Sequence, residues 1–271
     1  MLLLDIGNTQ IKMGVYENDQ ELASWRMTTS VSKTTDEYGI DFLMLLYSEK
    51  IPVESLDAAV VSSVVPAIMH HMISAIRRYL HKEPIIIGPG IKTGVNLKVP
   101  NPLEVGADLI ADLAAAIELY KGPCIIVDFG TATKYLVVND KQEFVAAVFS
   151  PGIGISAATL TEKAAQLPGF EIKKPRSILA NSTVECMQAG IVYGYIGQVK
   201  YIVDEIKKET GLSDIKVIAT GGFGKIMVPE LDCVDVYDKA LTLKGIRIIA
   251  EKNLAEQEKA RQKKALREKT N

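Results

Sequence analysis

The first sixteen residues set a pattern that the chain uses twice. Leu2, Leu3 and Leu4 form an unbroken apolar run that stops at Asp5, and Ile11, Met13 and Val15 then alternate with other residues. An unbroken run suits a strand buried on both faces, and alternation suits a strand paired beside it. The pattern predicts a strand ending in Asp5, a Gly7-Asn8-Thr9 turn and a returning strand. Glu17-Asn18-Asp19 then turns the chain into a third run over residues 21–27. Some 123 residues later, residues 124–127 run into Asp128, Gly130-Thr131-Ala132-Thr133 turns, and residues 135–138 return. Asn139-Asp140 turns again before residues 143–149. Asp5 and Gly7 thus align with Asp128 and Gly130 at a constant offset. Two copies point to two related halves and not to a solenoid.

Helix and strand signals follow each meander. Thr34 and Glu37 have capping-box spacing ahead of a helical run over residues 38–47. Residues 58–65 read as a buried strand halted by Pro66, residues 68–80 as an amphipathic helix, and residues 84–87 as a strand. Residues 88–102, rich in Gly, Pro and Asn, read as a loop able to shape a binding site. Residues 105–120 read as a helix stopped by Lys121-Gly122-Pro123. Helices are expected over 156–167 and 183–209, a strand over 216–220 ending at Gly221-Gly222, and a last helix from about Leu243. The prediction is an α/β fold of two lobes, residues 1–120 and 121–250, with a charged helical tail over 251–271. Each lobe is a mixed sheet with a leading antiparallel meander and packed helices.

Composition narrows the class. Hydrophobic residues make up 48% of the 271 residues and charged ones 24%, enough to bury a core and to exclude general disorder. The formal net charge of -2 argues against a nucleic-acid partner, which needs a positive surface. The tail holds seven Lys/Arg against four Asp/Glu, interleaved and without aromatic residues, as in a solvated helix end. No apolar run is long enough to span a membrane. Met1-Leu2-Leu3-Leu4-Asp5 lacks a basic leader, and Cys124, Cys186 and Cys233 form no close pair, so a reduced, cytoplasmic chain is expected.

The strand-end acids carry the chemistry. A carboxylate followed by Gly and small hydroxyl residues in a hairpin offers a cation ligand and backbone N–H donors close together, which suits a metal–phosphate group. One such turn is commonplace, but two in matching positions are specific. With Thr220-Gly221-Gly222 as a third close-backbone turn, the arrangement implies a nucleotide held between two lobes.

Five stretches occur in order: Asp5-Ile6-Gly7-Asn8-Thr9, Gly106-Ala107-Asp108, Asp128-Phe129-Gly130-Thr131-Ala132-Thr133, Pro151-Gly152-Ile153-Gly154-Ile155-Ser156 and Ala219-Thr220-Gly221-Gly222. Together they resemble the type III pantothenate kinases, bacterial members of the superfamily of sugar kinases, actin and heat-shock chaperone ATPases. The resemblance implies two actin-like ATPase lobes and phosphorylation of pantothenate to 4'-phosphopantothenate by ATP, the first step of coenzyme A biosynthesis. It places ATP on Asp5, Ile6, Gly7, Asn8, Thr9, Gln10, Ile11 and Lys12, on Thr131, and on Gly221 and Gly222. Asp5 would lie near Mg²⁺, directly or through water, and Asp128 would hold a monovalent cation, K⁺ or NH₄⁺. Pantothenate would contact Val99, Gly106, Ala107, Asp108, Leu109 and Thr183, with Asp108 as the proton acceptor. Thr183 reaches the site across a homodimer interface in the family, so a homodimer is implied.

The chain departs from the family near the substrate. Leu109 stands where the family usually has Arg, Val99 where it has Tyr, Lys134 where it has Thr, and Ala146-Ala147 where it has a Gly pair. The loss of Arg removes a fork of donors suited to carboxylate or phosphate. Lys134 is an alternative positive partner for Asp128. Two other functions therefore stay open: a non-catalytic ATP-binding regulator, and a kinase of another small alcohol.

Overall fold

A computed structural model describes residues 1–88, 90–163, 167–212 and 214–270, apart from the side chains of residues 261 and 263–270. The chain divides into two units. One holds Met1–Val95, Asn101–Ala115 and Leu241–Asn271, the other Asn96–Pro100 and Ala116–Ala240.

In the first unit, β1 (Leu2–Ile6), β2 (Gln10–Glu17) and β3 (Gln20–Thr28) form the antiparallel meander. After α1 (Thr35–Ser48), β4 (Ala59–Ser63) lies parallel to β1. After α2 (Pro66–Leu80), β5 (Ile85–Ile86) extends the sheet in the order β3-β2-β1-β4-β5. Thr34 caps α1 with the reciprocal Glu37 bonds of a capping box. Pro66 opens α2 at a position where a missing N–H costs nothing. Leu2, Leu4 and Ile6 pack with Tyr38, Phe42, Ile68, Met72 and Ile76 of α1 and α2. On the other face, Leu3, Tyr16 and Val60 pack with Ala111 and Ala114 of α3 (Ala107–Tyr120). The same cluster takes in Leu243, Ile246 and Ile249 of the last helix. That two-sided cover is the reason β1 tolerates no polar residue before Asp5.

In the second unit, β6 (Asn96–Leu97) runs parallel to β9, and β7 (Cys124–Phe129), β8 (Ala132–Val138) and β9 (Glu143–Pro151) form the second meander. Next come α4 (Ile153–Lys163), α5 (Thr183–Thr210), β10 (Lys216–Thr220), the short α6 (Gly224–Met227) and β11 (Val236–Tyr237), giving the order β11-β10-β7-β8-β9-β6. The core joins Ile125, Val127, Phe129 and Val137 to Tyr195, Val199 and Val203 of α5. Apart from β6, this sheet repeats the strand order and directions of the first.

The α/β class expected from the sequence is the one observed. Four details differ. The loop expected over 88–102 contains β6. The helix expected over 156–167 starts earlier, at Ile153; its predicted residues 164–166 lie outside the described residues. The last helix, α7 (Leu241–Thr270), groups with the first unit, although the sequence reading placed residues 241–250 in the second lobe. The unit boundary at Ala115/Ala116 also falls inside α3 and not at residue 120.

Candidate active site

Asp5 sits near the end of β1, in a strand whose other residues are fully buried, and is itself 7% exposed. A carboxylate so placed needs a positive or hydrogen-bonding partner. Strand register brings Lys12 of β2 and Ser62 of β4 to either side of it. Lys12 Nζ lies 3.2 Å from Asp5 Oδ2. Ser62 is fully buried, and its Oγ has no hydrogen-bond partner among the described residues. The hairpin tip is fixed by its own backbone: the Gly7 N–H donates to the Gln10 carbonyl at 3.0 Å, and the Thr29 hydroxyl donates to the Gly7 carbonyl at 2.6 Å. Asn8, Thr9 and Gln10 are exposed, whereas Ile6 and Ile11 belong to the core. Of the eight residues expected to hold ATP, those two therefore offer only backbone.

The second unit repeats this constellation. Asp128 is 8% exposed near the end of β7, with Lys134 of β8 and Thr220 of β10 as its register partners. Lys134 Nζ lies 2.8 Å from Asp128 Oδ2, and Thr220 Oγ1 is buried with no hydrogen-bond partner among the described residues. Each unit thus carries an acid, a lysine and a buried hydroxyl on three adjacent strands. Thr131 is exposed at the hairpin tip. Gly221 has φ +92°, a conformation glycine adopts without cost. A Cβ there would also stand 2.6 Å from Asp128 Oδ1. The glycine turn and the acid are one structure, while Gly222 is exposed above it.

Asp108 lies in the first turn of α3, where the helix dipole favours an acid. It is half-buried and its Oδ1 lies over Gly106, at 2.6 Å from where a Cβ would be. Gly106 also packs on Val64, whose N–H donates to the Ile6 carbonyl at 3.0 Å. The Gly106-Ala107-Asp108 turn and the Asp5 hairpin therefore share the carboxyl end of β1 and β4, where parallel strands place ligands.

The other expected substrate residues belong to both units, Leu109 to the first and Val99 and Thr183 to the second. Leu109 is buried at 8% exposure and offers nothing polar. Val99 is half-buried just after β6, and Thr183 is exposed at the start of α5. Among the described residues, no three His, Cys, Asp or Glu gather as a metal cage. A divalent ion would arrive with a triphosphate, as Mg²⁺ commonly does.

The Lys134 partner of Asp128 was anticipated from the sequence, but its counterpart, the pairing of Lys12 with Asp5, and the two buried hydroxyls were not. Ile6 pairs with Ile11 around four loop residues, but Phe129 pairs with Thr133 around three. A constant offset of 123 carries Lys12 onto Tyr135 and hides its match to Lys134. Counting back from each hairpin tip would have found it.

A family model for type III pantothenate kinases matches residues 1–205. The type III pantothenate kinase of Agathobacter rectalis is 48% identical over 252 residues, covering 93% of this chain and 97% of its own. Among solved structures, a Campylobacter jejuni protein named for the Baf family of transcriptional activators superposes with a TM-score of 0.59 at 17% identity. The match covers 94% of this chain and all of that one. The ADPNP-bound activator of 2-hydroxyisocaproyl-CoA dehydratase from Clostridium difficile gives 0.54 at 14% identity, covering 97% and 98%. Those two likenesses are of fold alone, whereas the family model and the 48% identity reach across most of the sequence: the chain belongs to the type III pantothenate kinase family.

Proposed function

We propose that the protein transfers the γ-phosphoryl group of ATP to the primary alcohol of pantothenate, giving 4'-phosphopantothenate at the start of coenzyme A synthesis. The observation that carries this is the duplicated acid–lysine–hydroxyl constellation at two equivalent strand ends. Phosphoryl transfer rests on positioning and charge neutralisation, and these hairpins supply fixed charge and close backbone. In this reading Mg²⁺·ATP is the phosphoryl donor. The first hairpin fits its metal-bound phosphates through the Asp5 carboxylate, the Lys12 ammonium and the backbone of residues 7–9. Asp108 accepts the proton of the attacking alcohol. The second hairpin, with Thr131 at its tip, and the Gly221-Gly222 turn take the remainder of the nucleotide.

A monovalent cation on Asp128 does not fit the residues present. One carboxylate oxygen already holds the Lys134 ammonium, and Gly221 leaves so little room beside the other that a Cβ there would stand 2.6 Å from it. A homodimer is part of the proposal. It is supported by Ile178 and Leu179 of the second unit, which are 63% and 88% exposed a few residues before Thr183. No helix among the described residues is long and apolar enough to cross a membrane, and we place the reaction in the cytoplasm.

The deciding measurement is ADP release from Mg²⁺·ATP with pantothenate, with other small alcohols, and with none. Release that needs pantothenate supports the reading. Equal or greater release with another alcohol moves the substrate, and ATP binding without release on any alcohol leaves a regulator.

A further inference from the structure

The contact that excludes a bound cation at Asp128 also supplies its charge. Asp128 is buried at the end of a strand that is covered on both faces, so its negative charge must be balanced on the spot. Lys134 is the residue directly opposite in the β7–β8 register, with Nζ 2.8 Å from Oδ2. The two side chains are only 16% and 11% exposed, so water screens them little. The lysine stem crosses one hairpin rung, whereas a free ion would need a shell of oxygen ligands. Gly221 closes on the second oxygen, Oδ1: a Cβ at that glycine would stand 2.6 Å from it. A second monovalent ion at this carboxylate would stand next to an ammonium of like charge.

We infer that the Lys134 ammonium is the built-in monovalent cation of the second phosphate hairpin, so that the reaction requires neither K⁺ nor NH₄⁺. The same geometry in the first unit, with Lys12 at 3.2 Å from Asp5, shows that this scaffold balances a strand-end acid with a cross-strand lysine. Lys134 acts here as a positioning residue: it holds Asp128, and through it the Gly221 turn, in the arrangement that receives phosphate charge. The inference rests on the kinase reading of the Asp128 hairpin and adds to it the absence of a salt requirement.

The test compares K⁺, NH₄⁺ and tetramethylammonium chlorides at equal ionic strength, reading pantothenate-dependent ADP release and melting temperature. The wild-type rate and melting temperature should be the same in all three. Lys134→Thr should lose about 10²-fold in rate in tetramethylammonium, as when one preorganised charge contact is removed. It should regain rate in K⁺ or NH₄⁺, which should also raise its melting temperature by binding the vacated carboxylate. A wild-type rate that collapses without K⁺, or a wild-type melting temperature raised by K⁺ alone, overturns the inference. So does a Lys134→Thr variant indifferent to K⁺ in both measurements. Absence of release on pantothenate in every salt overturns the kinase reading instead, and the melting comparison then still decides whether Lys134 has displaced a cation.

Discussion

Replacing Asp108 by Asn keeps the size of the side chain over Gly106 but removes its ability to take a proton at neutral pH. A positioned general base is worth about 10²–10⁴-fold in rate. An acid in the first turn of a helix contributes only about 0.3–1 kcal/mol to stability. Asp108→Asn should therefore abolish most turnover while melting temperature and ATP affinity stay close to wild type. Turnover within a few-fold of wild type would remove Asp108 from the reaction. The cysteines give a second prediction at this scale. Burial pushes the Cys124 thiol up to about 12, with Lys216 opposing only in part, whereas Cys186 is exposed. Iodoacetamide at pH 8 should label Cys186 and spare Cys124 until the protein unfolds. The raised value has a stability consequence. The folded state keeps the Cys124 proton where the unfolded chain has lost it, so this contribution is complete below about pH 9 and drains away between 9 and 12. The slope from this one group is at most about 1.4 kcal/mol per pH unit. Urea midpoints should fall over that interval, and less steeply in Cys124→Ala; equal slopes would mean that the thiol loses its proton alike in both states.

At the scale of elements, Gly221 links the end of β10 to the second hairpin. Any L residue at φ +92° is strained, and a methyl group there would collide with the Asp128 carboxylate. Gly221→Ala should cost about 1–3 kcal/mol, a fall of several degrees in melting temperature, and weaken ATP binding more than pantothenate binding. Unchanged ATP affinity would separate the turn from the nucleotide. These elements also show what a sequence discloses and what it conceals. The strands around Asp5 and Asp128 were legible because an apolar run ending in an acid and a glycine turn is a local signal, and so was the Thr34/Glu37 capping box. The pairing of β6 with β9 was not: Asn96 and Leu97 find their partners some 47 residues away, and two residues carry no period. Likewise the last helix is readable, but the sheet it covers belongs to residues about 180 or more positions earlier. Leu109 was legible as a departure from the family, and its burial shows that its side chain serves the core and offers the substrate no donor.

At the scale of the molecule, the second unit carries apolar surface that a single copy leaves in water. Ile178 and Leu179, 63% and 88% exposed, stand just before Ser182 caps α5, and Thr183 is the first residue of that helix. Large apolar side chains grouped beside a candidate substrate residue mark an interaction surface, and the proposal assigns it to a second copy of the chain. A two-fold interface uses the same patch on both copies, so one charged substitution enters it twice. Leu179→Glu should therefore shift the protein from dimer to monomer in sedimentation at micromolar concentration. Its melting temperature should change little when extrapolated to low concentration, because Leu179 has almost no contact to lose within its own chain. If Thr183 serves the neighbouring copy's pantothenate, the monomer should show a raised KM for pantothenate with the KM for ATP unchanged, since none of the residues assigned to the nucleotide belongs to this patch. Thr183→Val in the intact dimer should raise the same KM without dissociating it. A wild-type protein that sediments as a monomer would take Thr183 out of the site, and a monomeric Leu179→Glu with unaltered KM for pantothenate would confine the interface to assembly.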